Sequence, residues 1–522
     1  MRQPLIGITI LTLLSTGVRG ADFPSYRGDG SGATDSGLTL IDDASQAKLL
    51  WSSEEPCPPS GKDPNAKPGG PSGVIGLGGY GVPVIVDGRI YFSFHIPTGP
   101  KIGYPGYPNR KSQYHHQMMA DDVVICLDAK TGKTLWRTVF KNTAWNFHAA
   151  YSNYATDGQN TPCVAHGRVV QLNNTGRAFC LDAATGEKLW EKHSGREAHI
   201  WDLYRQDVVA GKAVIIGKGG IGGMVKKYGA LVPTPPKDPE LKGSGGAGYN
   251  STPQVFADPA KGRKLAVFIL MRSATVAFDL ETGAERWRRG AIYTSASRSV
   301  IKWIHQGKEY LVGDRAVIDP ATGKDIYQLP VTLGGAYAQG TWALSGDYIV
   351  AETPNPLDKK GAEVPKKVVT CLMLSADGAA EIWTSPFCFG ANCPVIHRKH
   401  AYLYIRFNKG WNPSWPVPDG FDQQFRGGAL ACVELATGKV IGLGVGRRTP
   451  VMGNCPLGMD GRLFVNNRSL FDCVPDSKGE LKHLGALPPS LECSALTGAD
   501  GFLYLRPKDQ GCLLQCWDFR KP

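Results

Sequence analysis

Cys180-Leu-Asp-Ala-Ala-Thr-Gly-Glu-Lys-Leu-Trp190 decides the architecture, because the chain writes it three times. Cys126-Leu-Asp-Ala-Lys-Thr-Gly-Lys-Thr-Leu-Trp136 and Ala277-Phe-Asp-Leu-Glu-Thr-Gly-Ala-Glu-Arg-Trp287 keep the same order: apolar, Asp, two residues, Thr-Gly, three residues, Trp. Two apolar residues end a strand. Asp bonds its own turn backbone and Gly supplies positive φ, which makes a tight turn. The next strand begins at once and ends in a large aromatic anchor. A motif recurring at this spacing marks a repeat architecture.

Working outward, each copy is preceded by two short apolar strands joined by a turn such as Asp87-Gly or His166-Gly. The cleanest unit runs from Thr161 to Trp190. Later units are degraded but legible. One keeps Asp319-Pro-Ala-Thr-Gly323, another Glu434-Leu-Ala-Thr-Gly438, and two retain Asp460-Gly and Asp500-Gly turns. The fixed positions Asp128, Gly132, Trp136, Asp182, Gly186, Trp190, Asp279, Gly283, Trp287, Asp319 and Gly323 are read as fold residues, because recurrence in every unit means a role in the unit.

These motifs resemble the repeat of the pyrroloquinoline-quinone-type (PQQ-like) β-propellers, and the resemblance covers most of the chain. It implies an all-β fold of four-stranded antiparallel blades. The unit count gives eight blades, and the spacing leaves seven or nine open. The last unit, Cys493–Phe519, lacks a closing strand, while Lys48-Leu-Leu-Trp51 stands as an orphan strand near the start. An N-terminal strand closing the ring satisfies both, and it covers exposed sheet edges. The blades fill residues 21–522, with insertions near 95–121, 217–248 and 407–428. Residues 207–217 read as strand-like, either within an insertion or as a degenerate extra blade.

Residues 1–20 read as a secretory signal peptide: Arg2 at the start, an apolar run from Leu5 to Leu14, and small residues before Ala21. No later stretch has transmembrane length. The expected location is therefore periplasmic or extracellular. The net charge of +12 comes without a basic block interleaved with aromatics, so no nucleic-acid partner is expected. Of the 13 cysteines, many fall at equivalent repeat positions, which favours small buried hydrophobes over a disulfide framework. A bridge among Cys57, Cys388 and Cys393, or between Cys512 and Cys516, is the alternative.

The family holds quinone enzymes and cofactor-free scaffolds alike. A quinone dehydrogenase of this type implies a bound Ca²⁺ and a catalytic Asp, often with a vicinal disulfide or a Cys-x-x-Cys-His haem site. The sequence holds neither a Cys-Cys dipeptide nor Cys-x-x-Cys-His. The expectation is a binding or scaffold protein with no cofactor, recognising a protein or an extracellular polymer. The alternative is a PQQ- and calcium-dependent alcohol or sugar dehydrogenase. No catalytic or metal-binding residue is assigned. Candidate ligand-binding residues are the aromatic and imidazole side chains that break the repeat: Tyr104, Tyr107, Tyr114, His115 and His116 in one insertion, Trp411 and Trp415 in another. His115, His116, Met118 and Met119 also offer atoms that suit copper, although adjacent residues do not readily form one compact site. An Arg27-Gly-Asp29 tripeptide and the glycosylation patterns at Asn173, Asn250 and Asn467 complete the motifs.

Overall fold

The computed structural model describes residues 22–56, 81–101, 117–144, 161–212, 227–232, 251–270, 274–292, 299–334, 342–357, 367–385, 393–405, 429–444, 456–465, 469–488, 496–507 and 513–522. They form eight four-stranded antiparallel sheets, the blades of a β-propeller. Blade 1 is Val84–Val86, Arg89–Lys101, Gln117–Asp128 and Thr134–Ala144; blade 2 is Cys163–Ala165, Arg168–Leu172, Arg177–Asp182 and Lys188–His193. Blades 3, 4 and 5 follow at 254–290, 301–328 and 343–385, and blades 6 and 7 at 395–444 and 457–486. Blade 8 takes three strands, Thr497–Ala499, Phe502–Leu505 and Leu513–Asp518, from the C-terminal end and its outer strand, Lys48–Pro56, from the N-terminal end. Lys48 lies opposite Asp518, and Trp51 opposite Cys516, so the orphan strand closes the ring as its position predicts.

The repeat motif is an interblade staple. Trp136 Nε1 of blade 1 donates to the Ala183 carbonyl of blade 2 at 3.1 Å, Trp190 to Leu280 of blade 3 at 2.8 Å, and Trp287 to Pro320 of blade 4 at 2.9 Å. Trp383 does the same to Leu435 at 2.8 Å, and Trp51 spans the closing seam to Ala129 at 3.1 Å. The acceptor is always the residue after the turn's acidic position. The turn glycine lies flat beneath the ring. A Cβ on Gly186 would stand 2.5 Å from Trp136, and one on Gly283 2.8 Å from Trp190, both at positive φ. Glycine is thus required twice, for the left-handed backbone and for the ring's approach. Between blades 4 and 5 the Tyr327 hydroxyl replaces the indole, donating to the Ser375 carbonyl at 2.9 Å. Blade 6 carries Gly442 at the Trp position, and Pro475 of blade 7 packs against it instead.

Two further regularities follow from this docking. The outer strand slips register immediately before Trp51, Trp136, Trp190, Trp287 and Trp383. Such a bulge re-aims a side chain, here swinging the indole toward the next blade. The bulged residue points outward, leaving Leu50, Leu135 and Leu189 exposed. The cross-strand neighbour of the Trp is Cys126, Cys180, Cys371 or Cys516 in four blades. A compact apolar side chain fits beneath an indole, which accounts for cysteine recurring in step with the blades. Cys126, Cys163, Cys180, Cys371, Cys432, Cys473 and Cys516 are buried free thiols, and Cys393 is also buried. Cys57, Cys388, Cys455, Cys493 and Cys512 lie outside the described residues.

Residues 22–36 carry out a task the sequence did not announce. Running along the innermost strands, they satisfy the inner edges of successive blades. Phe23 exchanges backbone bonds with Ile85 of blade 1, and Val164 of blade 2 donates to the Pro24 carbonyl. Gln254 of blade 3 bonds the Ser25 hydroxyl, and Gly30 passes Ile301 of blade 4. Leu344, Ile396 and Gly458 of blades 5, 6 and 7 donate to the carbonyls of Gly30, Ser31 and Gly32. Ala33–Thr34 pairs in parallel with blade 7, and the Thr34 hydroxyl reaches the Gly498 carbonyl of blade 8 at 3.3 Å. Arg27 is buried at the centre, donating to the Trp342 and Pro394 carbonyls of blades 5 and 6. The Arg27-Gly-Asp29 tripeptide is therefore a structural element of this strap, and its Arg is not available for adhesion.

Residues 207–209, read as strand-like, end an α-helix, Arg196–Val209 (α1). Ala198, Ile200, Trp201, Tyr204 and Val208 are buried along it, so helical spacing rather than alternation governs the apolar residues. The long hairpin of blade 1 also keeps its pairing farther than expected, with Thr98 still opposite Met119, inside the stretch read as an insertion. Among the described residues no helix is long and apolar enough to cross a membrane.

Candidate functional site

Strand direction sorts the connections onto two faces. The first-to-second-strand turns are mostly two residues with positive φ at both, as at Asp87-Gly88, His166-Gly167 and Asp460-Gly461. This geometry matches the right-handed twist of the strands it joins. These turns and the Trp-docking turns share one face, and the strap enters there, with Asp22 Oδ1 accepting the Asp87 N–H at 3.1 Å. The other face receives the second-to-third-strand and blade-to-blade connections, including the four longest: 57–83, 145–162, 194–253 and 406–428.

Tyr104, Tyr107, Tyr114, His115, His116, Trp411 and Trp415 lie outside the described residues. The strand ends that flank them are described. Residues 102–116 link the second and third strands of blade 1, and 406–428 link the same strands of blade 6. Both stretches thus leave from the connection-bearing face.

On that face, blades 1 and 2 hold a buried polar network that sequence reasoning missed. Asp122 is fully buried. Its Oδ2 accepts from the Thr143 hydroxyl at 2.5 Å and from Asn173 Nδ2 of blade 2 at 2.8 Å. His95 Nε2 lies 2.9 Å from Oδ1, off the line of a hydrogen bond. Asn173, also fully buried, donates again to the Thr143 carbonyl at 2.9 Å. Its Oδ1 accepts the backbone N–H groups of Thr175 and Arg177 at 3.0 and 2.8 Å. The glycosylation pattern at Asn173 is thereby corrected, because the amide is committed to the interior. Asp121 turns the opposite way, to Lys141 Nζ at 2.7 Å and to the Asn142 N–H at 2.8 Å.

The network continues outward through Arg177, whose guanidinium joins Glu191 of blade 2 and Asp202 of α1. Asp202 Oδ2 meets His193 Nε2 at 2.7 Å, and Arg205 Nη2 stands 3.4 Å from Oδ1. Burial pushes the Asp202 carboxyl up, but the His193 hydrogen bond and the Arg177 charge outweigh it and the net shift is down. Glu191 is likewise lowered: burial is outweighed by Lys188 and Arg177. The carboxylates are therefore held ionised. A sequence signal existed: Asp121-Asp122 and Asn173-Asn174 interrupt otherwise apolar strands, where polar residues are retained only with partners.

Chemically, the network is a rigid bridge between two blades and a helix. Among the described residues no three His, Cys, Asp or Glu side chains gather closely enough to hold a metal ion. In this network Asp122 Oδ2 and Asn173 Oδ1 already accept from protein donors, while Asp122 Oδ1 faces His95 Nε2.

The family model described as outer membrane protein assembly factor BamB matches residues 43–302. No curated protein matches the chain. Among solved structures, quinohemoprotein alcohol dehydrogenase from Comamonas testosteroni is similar at 14% identity, with 95% of this chain and 80% of that one covered and a TM-score of 0.50. Quinohemoprotein alcohol dehydrogenase ADHIIG from Pseudomonas putida HK5 matches at 13% identity, 95% and 80% coverage, and a TM-score of 0.46. BamB from Moraxella catarrhalis matches at 13% identity, 78% and 81% coverage, and a TM-score of 0.30. At these identities the likeness concerns the fold alone.

Proposed function

The chain is a β-propeller of the PQQ-like repeat family, and from that premise we propose that it works outside the cytoplasm as a binding or scaffold protein for a protein partner. The inequality of the two faces carries the reading. One face is built mostly of short turns, while residues 22–36 of the chain itself run along the inner strands. The other receives the four longest connections, and a buried polar network braces two of the blades beneath it. Surface loops on a rigid scaffold are where recognition concentrates. Residues 104–116 and 407–417, with Tyr104, Tyr107, Tyr114, His115, His116, Trp411 and Trp415, supply the aromatic and polar side chains suited to it. The matched family model, named for an assembly factor, supports a protein partner over a small substrate. Export rests on the signal-like residues 1–20, and N-terminal sequencing of the mature protein should begin at Ala21.

A photo-crosslinking residue placed at Lys141, whose side chain is 76% exposed near the connection-bearing face, should trap a partner in the native host. The same residue at Lys130, in a Trp-docking turn, should trap none. Crosslinking from Lys130 alone would overturn the assignment of the face. Alcohol-dependent dye reduction on adding pyrroloquinoline quinone and Ca²⁺ would replace the scaffold reading with the dehydrogenase one. Retention on an immobilised polysaccharide with no protein crosslink would replace the protein partner with a polymer.

A further inference from the structure

Helix α1 leaves blade 2 directly after His193 and folds back onto the connection-bearing face. It packs on the fourth strand of blade 2 and the second strand of blade 1. Where it meets blade 2, His199 of the helix stacks on His193 of the strand, with ring centroids 4.2 Å apart and planes 16° from parallel. Two neutral imidazoles stack favourably, whereas two imidazolium ions at that distance repel. We propose that this stack is an acid-sensitive latch, and that protonation of His199 releases α1 from blades 1 and 2.

The charges around the stack resist a proton on His199. On the helix, Asp202 stands 2.7 Å from His193 and Arg205 faces Asp202. From blade 2, Arg177 reaches Asp202, Glu191 holds Arg177, and Lys188 holds Glu191 at 2.9 Å. From blade 3, Arg288 reaches the Ser194 carbonyl at 2.7 Å and pairs with Glu285. Asp202, the anion beside the stack, is therefore shared among His193, Arg177 and Arg205. A proton on His199 meets the His193 ring across the stack and the Arg177 guanidinium nearby.

His199 is exposed as a whole, and the partial burial of its ring together with His193 and Arg177 holds it below its ordinary value, with Asp202 opposing. The docked helix consequently binds fewer protons than the released one. Docking is strongest above the ordinary value of 6.5 and weakens as pH falls below it, by a factor approaching ten per pH unit until the docked value is reached. Release would unseat Trp201 and Tyr204, both buried now, and so expose apolar surface on the proposed binding face. The latch does not depend on what that face binds.

Hydrogen exchange of the whole protein tests the proposal. At pH 7.5 and 5.0, after correction for intrinsic rates, protection of residues 196–209 relative to strand 263–270 should fall several-fold, up to about 30-fold. His199→Phe keeps a ring in the stack without the titration and should hold the helix at both pH values. Equal protection of the wild type at both pH values, or the same fall in His199→Phe, overturns the latch. If His199→Phe is unprotected already at pH 7.5, histidine-selective NMR of the wild type decides. Titration of His199 below 6.5 supports the latch, and titration at or above 6.5 overturns it.

Discussion

The staple between blades 2 and 3 makes a quantitative prediction. Trp190 is 6% exposed, its Nε1 is bonded to the Leu280 carbonyl at 2.8 Å, and its ring lies over Gly283. Trp190→Ala loses a buried indole and leaves a cavity, costing roughly 3–5 kcal/mol. Gly283→Ala has two separable costs. At φ +65 any L-residue is strained, by roughly 1–2 kcal/mol. A Cβ 2.8 Å from the indole also overpacks the seam, by roughly 1–3 kcal/mol. In the Trp190→Ala background the second cost disappears, because the methyl enters the vacated space. The double variant should therefore be more stable than the sum of the singles by about 1–3 kcal/mol. Guanidinium unfolding followed by circular dichroism, with the denaturant slopes compared across all four proteins, measures this coupling. Additivity within about 0.5 kcal/mol would refute the staple, since ring and glycine would then be acting independently.

Three other outcomes follow from the same structure. Deleting residues 22–52 removes both the strap and most of the strand opposite Leu513–Asp518, so the melting temperature should drop sharply; an unchanged melting curve would contradict ring closure. His397 is buried and accepts the Gly461 N–H at Nε2 at 3.1 Å; burial first, then Arg398, lowers its pKa from 6.5 to about 4, against the pull of Asp35. Its contribution to stability is thus complete above 6.5 and is lost as pH falls toward 4, by about 3 kcal/mol, and the stability difference from His397→Gln measured across that window should shrink accordingly. Burial pushes the thiol of Cys163 up to about 11 and those of Cys126, Cys180, Cys371, Cys432 and Cys516 to about 12, so thiol reagents at pH 8 should miss them in the native protein; in denaturant without reductant, titration of fewer than half of the 13 cysteines would mean disulfides prevail.

Legibility in the sequence tracked how local each cause is. Asp182, Gly186 and Trp190 act within one turn and its nearest seam, and three similar copies expose them. The closing strand at Lys48–Trp51 was legible because a four-stranded unit with three strands must find a fourth. The strap was not, because Phe23, Gly30 and Ser31 bond through backbone groups that leave no side-chain signature. The helix at 196–209 was obscured because the apolar pair Val208-Val209 and the residues after it imitate strand alternation. The polar network depends on Asp122 and Asn173, 51 positions apart, meeting across a blade seam, which no local pattern encodes. The recognition residues, chosen for breaking the repeat, are fixed in position only through the strands that flank them.

The path of residues 22–56 also sets an order of events during synthesis. The ribosome delivers this segment first, yet the edge its outer strand must pair with, Leu513–Asp518, is delivered last. At ordinary elongation rates of about 5–20 residues per second, the wait is roughly 25–90 s. Throughout it, Leu49, Leu50 and Trp51 have no native partner strand, whereas the strap is at hand as each inner edge is made. The circle cannot be sealed until Leu513–Asp518 is available to pair with Lys48–Pro56. A chain of this design therefore needs something to keep its opening segment from pairing wrongly until the final blade arrives: a holding chaperone, or passage through a membrane in an unfolded state.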